Sequence, residues 1–238
     1  MPQQDENERA FFLDMQLAYP RVQEAFQQKD NLVRTMLSEK KIDFENFKMY
    51  LRYFKQDSLL EVWGKNPLDD QYQLVTNYKA SNSSGAMGPK RIQGDRQIPE
   101  GFYTIDKFNP KSNFHLSMRV SYPNDRDRML AQGKDPGGDI YIHGGSSTMG
   151  CIPVTDDKIK ELFWMIAKSY NQGHDIPVHI YPFPLNDEHI NLLYPMFAEN
   201  PELTTFWEML RPGYEFFEKY KVPPHVSVEP NGAYKIWQ

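Results

Sequence analysis

Cys151, the single cysteine of the chain, and His143, eight residues before it, are the residues whose types and spacing could do nucleophilic chemistry. Gly144, Gly145 and Gly150 lie between them. A thiolate is the nucleophile, and an unperturbed cysteine is mostly protonated at neutral pH. A neighbouring imidazole can take that proton and later return it to a leaving amine. The spacing predicts a strand ending at His143, a glycine-rich loop, and Cys151 just before a helix. Such glycines let backbone N–H groups approach a substrate carbonyl closely. A helix starting after Pro153 is expected to turn its positive dipole end toward Cys151 and favour the thiolate. The competing reading is a buried, inert cysteine packed as a small hydrophobe.

Composition bounds what surrounds this pair. With 238 residues, 39% hydrophobic and 14% aromatic, the chain can bury a sizeable core. Its net charge of −5 gives no basic footprint for nucleic acid. Eighteen prolines and fourteen glycines suit a turn-rich, β-rich body. One cysteine excludes an intrachain disulfide and a cysteine-based metal cluster. No run of 18 apolar residues offers a membrane span. No signal peptide is visible: the first 20 residues carry Asp5, Glu6, Glu8, Arg9 and Asp14.

Apolar periodicity predicts an amphipathic helix over 7–29, kinked or split at Pro20, and a second short helix over 31–40. Strands are expected over 47–54, 59–63, 72–78, 102–108 and 114–122. In the last of these, alternation places His115, Ser117, Arg119 and Ser121 on one face, toward solvent or a cleft. Residues 122–138 read as a long charged loop, either solvated surface or a lid. Thr155-Asp156-Asp157 caps a helix from Lys158 to about Asn171, and 177–181 is a closing strand. Two further helices are expected at 187–198 and 201–220, then a hairpin turning at Asn231-Gly232. The expected division is an N-terminal helical segment (1–45), a catalytic domain (46–181) and a C-terminal helical extension (182–238). Trp164, Trp207 and Trp237 read as core residues. His174, His179, His189 and His225 lack metal-ligand spacing, so no metal or cofactor is expected.

His143-Gly144, followed by Thr148-Met149-Gly150-Cys151, resembles the signature of the L,D-transpeptidase catalytic domain of the YkuD type. Gly88-Pro89-Lys90, Gly94-Asp95 and Pro99-Glu100-Gly101-Phe102-Tyr103 resemble its upstream landmarks. Phe114-His115-Leu116-Ser117 and Tyr122-Pro123-Asn124 point to the YafK-like branch. The resemblance covers roughly residues 47–181. It implies an α+β fold with a β-rich sandwich or barrel core and helical N- and C-terminal additions.

The resemblance also implies chemistry. Cys151 would attack the amide after the third residue of a peptidoglycan stem peptide, and His143 would act as base and then acid. The carbonyl of Gly144 would orient the imidazole. Backbone N–H groups of Gly150 and Cys151 would hold the oxyanion, with Thr148 supporting the loop. His115, Tyr141 and Gly145 are the candidate substrate contacts. The acyl group would pass to a second stem's amine or to water. Pro153 departs from the arginine or asparagine that many members carry there. Some relatives in this branch are similar to amidases that release an envelope lipoprotein, so peptidoglycan-attached lipoprotein is a second possible partner. The implied location is the periplasm or cell envelope, with a targeting segment already removed. A non-catalytic peptidoglycan-binding module is the alternative from another class.

Overall fold

A computed structural model describes residues 11–238. Its fold is α+β. Eight strands form one mixed sheet in the order β3-β2-β1-β8-β4-β5-β6-β7, and a separate hairpin, β9-β10, ends the chain. The strands are β1 (Lys48–Phe54), β2 (Leu59–Lys65), β3 (Gln73–Lys79), β4 (Gly101–Asn109), β5 (Ser117–Val120), β6 (Tyr141–His143), β7 (Ile152–Pro153), β8 (Pro177–Tyr181), β9 (His225–Val228) and β10 (Tyr234–Trp237). Pairing is parallel for β1 with β8 and for β6 with β7, and antiparallel elsewhere. β4 joins the two halves of the sheet. Its first residues pair with β8, and after an irregularity between Ile105 and Lys107 it pairs with β5. Such a bulge bends a strand and re-aims the sheet.

The helices are α1 (Phe12–Leu17), α2 (Pro20–Glu39), α3 (Asp125–Leu130), α4 (Asp156–Asn171), α5 (Asp187–Leu193) and α6 (Pro201–Tyr220). The N-terminal expectation is corrected in its division. The break falls at Tyr19, Pro20 opens α2, and α2 then runs unbroken through 31–40. Proline at a first helical position costs no hydrogen bond, because that N–H has no partner in the helix anyway. The part of the expected first helix before residue 11 lies outside the described residues.

Both sheet faces are covered, which explains why β1 is buried at every position from Met49 to Phe54. Met49, Leu51 and Tyr53 share one core with Val178, Ile180 and the apolar side of α4. Phe54, Phe102 and Tyr181 share another with Trp207, Leu210 and Tyr214 of α6. Gly213 permits that second contact. A Cβ there would lie 2.6 Å from the Phe102 ring. Trp164 and Trp207 are core residues as expected, but Trp237 is 43% exposed and stacks on His225.

Residues 122–138 are not loop throughout, because α3 lies within them. Asn124 caps α3 through a reciprocal pair with Asp127, and both Arg126 and Asp127 are buried. The Arg126 guanidinium donates to the Gly232 carbonyl, and the Asn124 amide donates to the Tyr234 hydroxyl at 3.1 Å. The segment therefore fastens the terminal hairpin to the body.

Candidate active site

Register brings the two reactive residues together. β6 ends at His143, and β7 begins at Ile152, immediately after Cys151. Parallel pairing of Ile142 with Ile152 and of His143 with Pro153 sets Cys151 beside Tyr141. Accordingly the Tyr141 N–H points at the Cys151 sulfur, 3.4 Å away. The thiol itself donates to the Asp139 carbonyl at 3.5 Å. Both side chains line one cleft of about 390 Å³ with Phe114, Ser117, Asp139 and Tyr141.

His143 is 2% exposed. Its Nδ1 lies 2.6 Å from the Gly144 carbonyl, which can only accept, so Nδ1 carries the proton and Nε2 is left as the basic nitrogen. The Phe114 ring covers the imidazole, with centroids 4.6 Å apart at 31°. Burial pushes the imidazole below its ordinary pKa, opposed by the Gly144 hydrogen bond. It is therefore neutral, and able to act as a base, at neutral pH.

Cys151 does not meet the expectation of a stabilised thiolate. Burial pushes its thiol above the ordinary value, outweighing the Tyr141 N–H and the positive charge of Lys90. The helix after Pro153 gives little help, because α4 begins at Asp156 and its first turn carries Asp156 and Asp157. Asp156 spends one carboxylate oxygen on the Gly145 N–H, at 2.8 Å. The resting pair is thus neutral thiol and neutral imidazole.

The loop between them is held at several points. The Thr148 hydroxyl accepts from the Cys151 N–H at 3.0 Å and donates to the Cys151 carbonyl at 2.7 Å. The Gly150 N–H donates to Ser84 Oγ at 2.7 Å. Ser81 Oγ donates to the Gly145 carbonyl at 2.7 Å. Gly150 adopts φ +96°, and a Cβ there would lie 2.7 Å from the Gln97 carbonyl oxygen. Both expected oxyanion donors therefore already have partners, and the Tyr141 N–H is the donor aimed at the sulfur.

Thr148→Val keeps the shape but removes both hydroxyl bonds. Losing them costs about 1–3 kcal/mol, so turnover is expected to fall roughly 10–100-fold, with Thr148→Ser close to the parent. Equal steady-state rates for Thr148→Val and the parent would show that this hydroxyl does not order the loop.

Of the other candidates, Tyr141 lines the cleft. Gly145 sits in the loop as a backbone anchor. His115 does not line the cleft. It adopts φ +69°, which ends the alternation expected from Phe114 onward and leaves β5 to start at Ser117. The charges that act on it are those of Asp156, Lys160, Glu24 and Arg21, on the helical side. Phe114 and Ser117 take its place at the cleft. Ser84 also escaped the sequence reading, because it reaches Gly150 from 66 residues away.

A cysteine and an oriented histidine therefore share one cleft on a mixed sheet. The L,D-transpeptidase catalytic domain family, YkuD, matches residues 59–180. YafK of Escherichia coli (strain K12), named provisionally as an L,D-transpeptidase, is 35% identical over 192 residues, covering 79% of this chain and 73% of its own. The chain belongs to the YkuD L,D-transpeptidase family. Among solved structures, the helical cell shape determining protein Pgp2 of Campylobacter jejuni is 20% identical. It is similar over 83% of this chain and 80% of its own, with a TM-score of 0.47. L,D-transpeptidase 1 of Mycobacterium tuberculosis is 14% identical over 56% of this chain and 62% of its own, with a TM-score of 0.31.

Proposed function

We propose that this protein is a cell-envelope cysteine acyltransferase that attacks the amide after the third residue of a peptidoglycan stem peptide. The observation that carries this reading is the oriented imidazole, Nδ1 tied to the Gly144 carbonyl, in one cleft with the Cys151 thiol. Substrate carbonyl entering the cleft takes the place of the Asp139 contact. His143 Nε2 removes the thiol proton as Sγ bonds to the carbonyl carbon. The Tyr141 N–H, released from the sulfur as Sγ moves onto the carbonyl carbon, stabilises the oxyanion. Collapse expels the amine, which leaves with the proton held on His143, and a thioester remains on Cys151. An amine from a second stem, or water, then attacks the thioester with His143 again as base. The substrate locates the enzyme in the periplasm.

Incubation with intact sacculi and free tetrapeptide muropeptides, read by mass spectrometry, tests this. New dimers joined between third residues, absent with Cys151→Ala, are the expected result for a transpeptidase. Cysteine-dependent tripeptides or released lipoprotein without dimers would assign the same thioester to hydrolysis. No product that depends on Cys151 would remove the enzymatic reading.

A further inference from the structure

A second cavity, of about 250 Å³, lies between the 87–97 loop and α6. Gly88, Pro89, Arg91 and Gln97 form one wall, and Leu203 and Phe206 the other. It is smaller than the roughly 300–1,000 Å³ typical of whole-ligand pockets, so its size suits one end of a ligand. Its lining is mixed, with Met87, Pro89, Leu203 and Phe206 beside Arg91, Gln97 and Asn200. Arg91 is the only cation in its lining, which also includes Glu202, an exposed residue.

The Arg91 side chain is 35% exposed, but one of its guanidinium nitrogens is not satisfied. Its Nη1 is buried and has no hydrogen-bond partner. The carboxylate it faces, Asp127 Oδ1, is 3.9 Å away, beyond hydrogen-bond reach. Asp127 spends its other oxygen on the Asn124 N–H and the Tyr103 hydroxyl. It also faces a second cation, Arg126, and both guanidinium groups lie over the Phe206 ring, at 5.3 and 5.2 Å. Burial raises Asp127 to about 6, so even this countercharge is incomplete in mildly acid solution. A buried guanidinium N–H without a partner is costly unless an acceptor completes it. The cavity also shares a wall with the catalytic loop, since the Gln97 backbone packs directly on Gly150.

We propose that this cavity is a carboxylate-binding subsite in which Arg91 anchors a carboxylate of the peptide substrate, the C-terminal extension supplying its far wall. The identity of that peptide rests on the function proposed above. Arginine suits the task because its planar fork can pair with both carboxylate oxygens. The apolar lining from Leu203 and Phe206 accommodates a small side chain beside the carboxylate.

Binding can be measured without turnover. Ligand-observed NMR titrations of Cys151→Ala protein would use tetrapeptide muropeptide and the same molecule with its carboxylates amidated. Amidation is expected to weaken binding at least tenfold. Adding Arg91→Gln to the Cys151→Ala protein is expected to cause a similar loss for the acid form and none for the amide. Arg91→Lys is expected to recover part of it. Leu203→Trp, which fills the cavity and spares every charge, is expected to act like Arg91→Gln and guards against a folding artefact. Muropeptide that binds well, but with no response to amidation, Arg91→Gln or Leu203→Trp, would overturn the subsite and leave the proposed function standing. Muropeptide that fails to bind in either form would overturn both.

Discussion

His143→Ala is expected to slow acylation of Cys151 by a carbapenem about 10²–10⁴-fold at neutral pH, the usual contribution of a positioned general base. The reason is the protonation state of the resting pair. Burial holds the thiol protonated by pushing its pKa up, and holds the imidazole neutral by pushing its pKa down. The parent therefore needs no preformed ion pair. Its rate is expected to stay level across neutral pH, and to fall only below the ordinary imidazole range, where His143 takes up a proton. The variant has no base and must wait for thiolate. Its rate is expected to rise about tenfold per pH unit toward a midpoint above the ordinary thiol value. The gap between the two then narrows steadily in alkaline solution. Intact-protein mass spectrometry of the acylated fraction against time, at several pH values, reads both curves. A variant profile parallel to that of the parent would show that His143 is not the base. Alkylation by iodoacetamide gives an independent reading of the thiol, because that reaction needs only thiolate.

Much of this site was legible because its logic is local. The glycines between His143 and Cys151, and the strand that ends at His143, set the two residues on one short loop. The strands of the body showed in their alternation, and β1 blurred only because it is buried on both faces. What the sequence concealed was distant or conformational. The partner of the Gly150 N–H is Ser84, and no periodicity links them. His115 left the cleft through a single positive φ. The thiol's protonation depends on desolvation by the whole fold, which outweighs the Tyr141 N–H and the Lys90 charge. Asn124 and Asp127 do carry a capping-box spacing, so α3 was readable inside a stretch whose charge suggested an open loop.

Glu100→Gln is expected to cost about 3–5 kcal/mol of stability, a fall in Tm of roughly 6–20 °C for a chain of this size. Glu100 is completely buried. One carboxylate oxygen accepts from the Gly88 N–H at 2.8 Å and from Lys55 Nζ at 2.9 Å. The other accepts from Trp207 Nε1 at 2.8 Å. Lys55, also buried, donates to the carbonyls of Gly88 and Ile98 as well. One carboxylate thus joins the end of β1, the loop that reaches Gly150 through Ser84, and the C-terminal helix α6. Glutamine keeps the volume, but it leaves the Lys55 charge uncompensated and sets an NH₂ among donors. Trp207→Phe keeps the ring and loses a single donor, so its cost should be nearer 1–2 kcal/mol. Replacing both charges, as in Lys55→Met with Glu100→Met, should cost less than the two single changes together, because no lone charge stays buried. It should not be neutral, since Gly88, Ile98 and Trp207 would still lack partners. Thermal melts of the five variants, the two single methionine changes included, followed by circular dichroism, separate these cases. A Glu100→Gln melt within about 2 °C of the parent would be below 1 kcal/mol on this scale, and would mean that α6 is not fastened to the sheet through this carboxylate.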